Sequence, residues 1–308
     1  MKNNPYTKEL KCSVFDIETS GLYPNTAGLI SASFIDPDGS ELFQLFAESP
    51  EDEKRIAKEI YERISGLDVV IGYNSNRFDI PFVINRLRHY GIAENLPRFW
   101  SVDIYHWLKH YWPLAKNMEH LRQKDVEEAL GINTKRTDLI SGEECIELYS
   151  RYLQLKDVKA KDDILLHNAD DVRQLARITQ KLNFLPYHKI SYENGFYIKE
   201  GKTKISAAKK TKRGFETRAY TAAGTVPASI FSEEYELECD SDGKILLKIF
   251  TQNNNGQLFT DLKKLPVNES LFEGLAGYHS GYLVLCENDD PMYRELNELN
   301  AALIKTII

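Results

Sequence analysis

The apolar segment at residues 14–18 carries two carboxylates, Asp16 and Glu18, two positions apart. Its pattern predicts a β-strand, on which side chains two positions apart share one face with Cα atoms about 6 to 7 Å apart. Both carboxylates could then reach one divalent cation. Alone the pair is a weak signal, because a second Asp-x-Glu triplet occurs at Asp125-Val126-Glu127, in a helical pattern where side chains two apart diverge. The first triplet differs because its strand is apolar, so its carboxylates lie at the edge of a core and need a compensating partner.

A third carboxylate, Asp79, follows the apolar segment 69–71 and precedes Pro81. It lies in a predicted strand-to-helix connection, a position from which α/β proteins present functional groups. The alternative interpretation is that Asp79 caps the helix that begins near Pro81.

A fourth carboxylate, Asp171, stands one helical turn after His167, so the two side chains are neighbours on one face of a predicted helix. The apolar stripe of this helix places Asp171 beside the core and Asp170 on the solvated face. The alternative interpretation of His167 is an ordinary surface histidine.

Hydrophobic periodicity and turn residues predict the elements that position these groups. The order of three strands, a helix, a strand and several helices is typical of a mixed α/β domain. The predicted strands are 11–18, 29–35, 41–47 and 67–72, and the predicted helices are 51–64, 81–90, 104–111, 120–130, 143–155 and 162–182.

The sequence pattern changes after residue 182, where Asn183-Phe184-Leu185-Pro186 interrupts the helical periodicity. We therefore predict two domains, residues 1–182 and a smaller, mainly β domain at residues 183–308 with a closing helix at 291–307. The predicted strand-like segments are 189–198, 215–220, 235–239 and 245–251.

Three motifs occur in a fixed order along the first domain: FDIETSGL, NSNRFD and HNADD. Together they resemble the DEDD superfamily of 3′-to-5′ exonucleases, and most of all its YprB-like group, whose members resemble the proofreading domain of family B DNA polymerases. The resemblance covers about residues 10–182. It implies an α/β fold with a ribonuclease-H-like mixed sheet flanked by helices. One departure is that His167 precedes the last Asp by four residues, where members usually carry a His five before it or a Tyr four before it.

The resemblance also implies catalytic roles for five residues. Asp16, Glu18 and Asp171 would hold one metal ion, and His167 would orient or deprotonate the attacking water. Asp16 would bridge to a second metal ion, which Asp79 would support directly or through water. Oxygen ligands favour Mg²⁺ or Mn²⁺ over zinc. The expected cofactors are therefore two Mg²⁺ or Mn²⁺ ions.

In this family the residues just after the two carboxylates of the first motif surround the terminal nucleotide; here they are Thr19, Ser20, Gly21 and Leu22. Leu22 would wedge against the last base or, alternatively, plug the core. Asn74 matches an Asn of the second motif, with a turn-forming Asn as the alternative. Asp103 offers a fifth carboxylate and is more typical of a helix cap.

A basic stretch at residues 199–218 holds eight Lys and Arg residues against two acidic ones, with aromatic residues at its borders. Lysine and arginine follow phosphates while rings stack on bases, which suits single-stranded nucleic acid. Lys209, Lys210 and Arg213 are the candidate substrate contacts. The alternative is a solvated loop between two strands.

Composition bounds these interpretations. The chain has 308 residues, 42% of them apolar, with 39 basic against 46 acidic residues and a net charge of −7. These values exclude disorder for most of the chain and argue against a strongly cationic coat protein. The start of the sequence is unlike a signal peptide, and four scattered cysteines indicate reduced thiols, so we expect a cytoplasmic protein.

The first functional hypothesis is a metal-dependent 3′-to-5′ exonuclease that acts on single-stranded DNA or RNA ends. The second is a nucleic-acid-binding or adaptor protein on a nuclease scaffold that lost its activity. The third is a structure-specific endonuclease, which shares the metal chemistry but needs no free end.

Overall fold

The computed structural model describes residues 4–132, 136, 140–222 and 227–308. The chain forms two compact units, Met1–Leu185 and Pro186–Ile308, called unit 1 and unit 2 below. The sequence predicted a division after residue 182.

Unit 1 is built on a five-stranded mixed sheet with the strand order β3-β2-β1-β4-β5. Strands β1, β2 and β3 pair antiparallel, whereas β1, β4 and β5 pair parallel. The strands are β1 (Cys12–Thr19), β2 (Leu29–Ile35), β3 (Leu42–Phe46), β4 (Val69–Gly72) and β5 (Trp100–Asp103). The predicted ribonuclease-H-like mixed sheet flanked by helices is confirmed.

Six helices accompany this sheet in the described part of unit 1. They are α1 (Glu53–Ser65), α2 (Asp79–His89), α3 (Ile104–Tyr111), α4 (Gln123–Ala129), α5 (Gly142–Leu155) and α6 (Val158–Lys181). Helix α6 packs on β1, β2 and β3, and α5 packs on α6. The central strand β1 and the long helix α6 therefore lie against each other, which brings distant parts of the chain together.

Unit 2 is mainly β and opens with helix α7 (Tyr187–Asn194). One antiparallel sheet has the order β10-β11-β12-β9-β7-β6, with β8 paired to β9. Its strands are β6 (Phe196–Ile198), β7 (Thr203–Ile205), β8 (Lys209–Thr211), β9 (Gly214–Tyr220), β10 (Ala228–Phe231), β11 (Tyr235–Cys239) and β12 (Lys244–Phe250).

A second antiparallel sheet of unit 2 has the order β13-β14-β16-β15, with β17 paired to β16, and the closing helix packs on β16. These elements are β13 (Gln252–Asn254), β14 (Gln257–Asp261), β15 (Tyr278–His279), β16 (Tyr282–Glu287), β17 (Asp290–Pro291) and α8 (Tyr293–Lys305). The predicted closing helix and mainly β character are confirmed.

The predicted strand-like segment at residues 189–198 is wrong over most of its length. Residues Tyr187–Asn194 form helix α7, and only Phe196–Ile198 forms a strand. The helix ends at Gly195, whose φ of 83° suits glycine. Helix α7 packs against α8, so the aromatic and β-branched residues that suggested a strand instead form a helix contact.

In the part of the chain that the structure describes, every helix is too short or too polar to cross a bilayer.

Candidate metal centre

Strand β1 carries Asp16 and Glu18 near its carboxyl end. The neighbouring apolar side chains of Phe15 and Ile17 are buried, which fixes the strand in the middle of the sheet. Asp16 lies opposite Ser33 of β2, and the regular pairing is interrupted just after Glu18. Carboxylate oxygens of Asp16 and Glu18 lie within 4.8 Å of each other. Both side chains can therefore reach one cation.

Helix α6 brings Asp171 and His167 to the same place. An Asp171 oxygen lies within 4.8 Å of the Asp16 and Glu18 oxygens. The Nε2 atom of His167 is 3.5 Å from Asp171 Oδ2 and 3.7 Å from Glu18 Oε1. Because His167 is only 5% exposed, its interpretation as an ordinary surface histidine is wrong.

The prediction that Asp170 faces solvent is also wrong, because Asp170 is buried. Four consecutive residues, His167 to Asp170, are buried, and at about 100° per residue they point in four different directions. Helix α6 packs against strands on one side and against both α4 and α5 elsewhere. A single apolar stripe therefore underestimates how much of this helix is covered.

Asp79 lies at the first position of helix α2 and is buried. Its Oδ1 accepts a hydrogen bond of 3.2 Å from the Ile17 amide, so the carboxylate reaches strand β1 between Asp16 and Glu18. The helix cap is Phe78, so the capping interpretation of Asp79 is wrong. Among the described residues, Asp79 lies outside the group of oxygens within 4.8 Å.

Asn168 connects α6 to the sheet beneath the carboxylates. Its Nδ2 donates to Asp16 Oδ2 at 2.7 Å, while its Oδ1 accepts hydroxyl hydrogen bonds from Ser31 at 3.0 Å and Ser33 at 2.7 Å. The amide therefore holds one oxygen of Asp16 in a fixed direction.

Arg136 forms ion pairs with two carboxylates next to the centre. It contacts Asp171 Oδ1 through Nη1 and holds Glu127 with Nη2 at 2.6 Å and Nε at 3.1 Å. Gln123 adds a hydrogen bond of 2.9 Å to the Asp171 carbonyl. A guanidinium thus supplies part of the positive charge that the carboxylates need.

Cys145, in the first turn of α5, lies next to Glu18. Its sulfur and donor atoms of Glu18 and His167 all lie within 4.8 Å of one another, and all three residues are buried. Burial raises the pKa of the Cys145 thiol, and the nearby carboxylates of Glu18 and Asp171 raise it further. The thiol is therefore protonated when no cation is bound.

The electrostatics of the centre oppose ionisation. Burial raises the pKa of Asp16 well above its ordinary range, and the carboxylates of Asp79, Asp171 and Glu18 raise it further. Burial raises the pKa of Asp79 to about 7, against hydrogen bonds from backbone amides that lower it. Closely packed carboxylates of this kind become stable as anions only when a cation compensates them.

The donor atoms fit a hard divalent cation. Two oxygens bound to the same Mg²⁺ lie about 3 to 4.2 Å apart, given bond lengths near 2.1 Å. The oxygens of Asp16, Glu18 and Asp171 meet this requirement with small side-chain adjustments, since they already lie within 4.8 Å. An all-oxygen set is the kind that Mg²⁺ and Mn²⁺ prefer.

The last four residues of the first motif, Thr19 to Leu22, form an ordered turn. Thr19 is buried and its hydroxyl donates to the Gly21 carbonyl at 2.9 Å. The Ser20 hydroxyl accepts from the Gly28 amide at 2.9 Å. Leu22 is 73% exposed, so its interpretation as a plug of the core is wrong. Its predicted role against the last base stays a prediction.

Asn74 lies in the turn after strand β4, and Asp103, the last residue of β5, holds that turn through hydrogen bonds. Asn74 has a φ of 58°, a conformation that asparagine tolerates better than most residues. Asp103 accepts hydrogen bonds from the amides of Asn74 at 2.9 Å and Asn76 at 3.1 Å. It also caps α3 through the His106 amide. These contacts agree with the turn and cap interpretations, and the substrate role of Asn74 stays a prediction.

The basic stretch in unit 2 contains strands β7, β8 and β9, so the loop interpretation is wrong. Lys209 pairs with Glu216 at 3.0 Å, and Lys210 pairs with Asp289 at 2.6 Å. The guanidinium of Arg213 lies 4.3 Å from the centre of the Phe250 ring. Nucleic-acid binding by these three residues stays a prediction.

Sequence reasoning missed Asn168, Arg136 and Cys145. A signal for Asn168 existed, because Ser31 and Ser33 stand two apart in an otherwise apolar strand and so share one buried face. Arg136 and Cys145 carried no such signal, since only tertiary contacts bring them to the carboxylates.

The comparison with protein families agrees with this fold. No curated protein matches the chain. Among solved structures, the family B DNA polymerase from the hyperthermophilic archaeon Pyrobaculum calidifontis is similar, with 21% identity and a TM-score of 0.46. The similar region covers 56% of this chain and 24% of the polymerase chain. A family model described as RNase H superfamily matches residues 13–183. The chain therefore belongs to the RNase H superfamily.

Proposed function

We propose that the protein is a metal-dependent 3′-to-5′ exonuclease of the DEDD type, closest in its motifs to the YprB-like group, that acts on single-stranded nucleic-acid ends. The observation that carries this proposal is the convergence of Asp16, Glu18 and Asp171 within 4.8 Å, with His167 beside them. Membership of the RNase H superfamily supports a nuclease acting on nucleic acid, and superfamily nucleases generally use divalent metals.

In this proposal Asp16, Glu18 and Asp171 hold one divalent cation, and Asp16 with Asp79 holds a second. When bound, such cations activate water for attack at phosphorus and stabilise the charge on the leaving oxygen. Asn168 keeps Asp16 in place through its hydrogen bond of 2.7 Å. Asp79 is kept in place by the Ile17 amide.

His167 serves as the general base in this proposal. Its Nε2 faces both Glu18 and Asp171, at 3.7 and 3.5 Å, so a water between these carboxylates could transfer a proton to it. Proton transfer of this kind contributes about a hundredfold to ten-thousandfold in rate. The four-residue spacing to Asp171 is what allows one helix face to present both groups.

The turn after β1 would hold the terminal nucleotide. A cavity of about 450 Å³ beside this turn is lined by Ser20, Gly28, Ile146 and Tyr149, among others. This volume lies in the range of small-molecule sites, which is about 300 to 1,000 Å³. The exposed side chain of Leu22 projects from the same turn and is available to contact the last base.

The test is the release of mononucleotides from single-stranded DNA and RNA labelled at the 5′ end, in Mg²⁺ or Mn²⁺. We expect successive shortening from the 3′ end, no cleavage of circular strands and no reaction in chelator. Asp16→Asn should lower the rate about a thousandfold or more, because several kcal/mol of charge stabilisation are lost.

The matched control is Asp125→Asn, which changes the first carboxylate of the chain's other Asp-x-Glu triplet, where Asp125 pairs with Arg122 at the surface. This variant should keep its activity. Full activity in Asp16→Asn would overturn the metal assignment, and cleavage of circular strands would favour an endonuclease.

A further inference from the structure

The thiol of Cys145 has no role in the chemistry proposed above. Hard cations such as Mg²⁺ are bound by oxygen, and thiolate ligands select softer ions. Yet the Cys145 sulfur lies within 4.8 Å of donor atoms of both Glu18 and His167. Three different elements, α5, β1 and α6, supply these three side chains.

This donor set matches zinc rather than magnesium. Zinc is bound tetrahedrally by cysteine, histidine and carboxylate, with bond lengths that place neighbouring ligand atoms about 3.3 to 3.8 Å apart. The His167 Nε2 and Glu18 Oε1 atoms are already 3.7 Å apart. Asp171 Oδ2, 3.5 Å from His167 Nε2, is placed to supply a fourth ligand.

We propose that Glu18, Cys145 and His167, with Asp171 as the fourth ligand, form a second metal site that is selective for Zn²⁺ and similar soft divalent ions. This site overlaps the oxygen-lined site through Glu18 and Asp171. On binding, the thiol proton leaves to solvent as the bond between sulfur and zinc forms, and His167 binds through the lone pair of a ring nitrogen. With zinc bound, Glu18 is unavailable to the oxygen-lined site and His167 is unavailable for proton transfer. The same centre thus has two metal states, one with oxygen ligands alone and one that includes a thiolate.

Cobalt(II) tests the site directly in the full-length protein, because a cobalt–thiolate bond gives a charge-transfer band in the near ultraviolet. We expect this band in the wild-type protein, with one equivalent of Zn²⁺ removing it. Cys145→Ser should lack the band. The matched control, Cys12→Ser, changes a thiol at the start of β1 and should keep it. Absence of the band in the wild-type protein would overturn the proposal.

Metal affinities separate the two overlapping sites. Zinc binding is measured by competition with a chromogenic chelator, and manganese binding by the electron paramagnetic resonance of free Mn²⁺. Cys145→Ser should weaken Zn²⁺ binding by about a hundredfold or more while Mn²⁺ binding changes by less than about threefold. Asp16→Asn should show the opposite pattern. Equal zinc affinity in the wild-type protein and Cys145→Ser would overturn the proposal.

A second variant keeps the proposal testable if Cys145→Ser does not fold. His167→Gln leaves the thiol in place and should also weaken Zn²⁺ binding by about a hundredfold. Unchanged zinc binding in this variant would exclude His167 as a ligand. None of these measurements uses nuclease activity, so their failure is distinct from failure of the proposed nuclease function.

Discussion

Unit 1 buries some of its ion pairs, whereas every described ion pair of unit 2 has at least one exposed side chain. In unit 1 the Glu53–Arg86 pair, 2.6 Å between Oε1 and Nε, has side chains that are less than a tenth exposed. In unit 2 the Lys209–Glu216 pair, at 3.0 Å, has a lysine that is 62% exposed. Buried charges need full compensation, whereas exposed charges are largely compensated by water.

This difference indicates where chemistry is expected. Around β1 of unit 1, carboxylates lie close together and repel one another. Asn168 and Arg136 reduce this repulsion, and a bound cation would reduce it further. In unit 2 the basic residues that suggested nucleic-acid binding have acidic or aromatic neighbours at the surface. Burial, more than the number of charges, separates the candidate metal centre from an ordinary charged face.

The largest expected effect on stability comes from Glu53, which lies beside the turn after β1. Its carboxylate binds Arg86 with both oxygens, accepts a hydrogen bond of 2.7 Å from the Tyr90 hydroxyl and one of 2.9 Å from the Leu29 amide. Glu53→Gln should lower the free energy of unfolding by about 3 to 5 kcal/mol, because Arg86 stays buried without a counter-charge. Urea denaturation followed by circular dichroism measures it.

Glu59→Gln is the control for that change, since Glu59 pairs with Arg55 on the exposed face of α1. It should change the free energy of unfolding by less than about 0.5 kcal/mol. Similar losses in both variants would remove the contrast between buried and exposed charges.

The next largest effect is the pH dependence of the stability of the metal-free protein. The pKa of Asp79 is raised to about 7 in the folded state from its ordinary value of 3.8, so the folded state binds more protons between these values. The free energy of unfolding should therefore fall as pH rises from 5 to 8. Thermal unfolding in chelator should give a melting temperature several degrees lower at pH 8.

Asp79→Asn isolates this contribution, because it keeps a carbonyl acceptor for the Ile17 amide and removes the charge. The variant should show a smaller decline in melting temperature between pH 5 and 8, and the part that remains is expected from Asp16, whose pKa is also raised. An identical decline in both proteins would show that other groups cause it.

A smaller effect, on metal affinity, is expected at Arg136, which competes with a metal ion for Asp171. Arg136→Gln removes a charge-assisted hydrogen bond that Mn²⁺ would otherwise have to replace, so Mn²⁺ should bind about tenfold more tightly. Titration calorimetry measures it, with Arg122→Gln as the control because Arg122 pairs with Asp125 at the surface. Weaker Mn²⁺ binding in Arg136→Gln would instead make Arg136 a support of the site.

The smallest effect is expected in unit 2. Lys209→Gln breaks an exposed pair with Glu216 and should change the free energy of unfolding by less than about 1 kcal/mol. Differential scanning calorimetry compares it with Glu53→Gln. A loss as large as that of Glu53→Gln would contradict the distinction between the units.

The sequence predicted much of unit 1 because its strands are marked by apolar runs and turn residues. Strand β2 and helix α3 have the predicted bounds, and β1, β3 and β4 differ from their predictions by at most two residues at either end. Unit 2 was harder, because helix α7 is rich in residues that also favour strands, and its character depends on packing against α8.

The candidate site was predictable only in part. Asp16 and Glu18, and likewise His167 and Asp171, are close in sequence, so strand and helix periodicity alone place each pair on one face. Arg136 and Cys145 reach the centre through the packing of whole helices. Periodicity describes one element at a time and contains no information on such contacts.

The hydrogen bond from Asn168 to Asp16 joins residues that are 152 positions apart. Helix α6, which carries Asn168, is the last helix of unit 1. A chain that has not yet added this helix to the sheet lacks Asp171 and His167 as well as the amide that orients Asp16. The centre is consequently complete only after helix α6 has packed on the sheet, so metal affinity reports on that packing. A partly folded or truncated chain would hold its first two carboxylates but would gain no catalytic power from them.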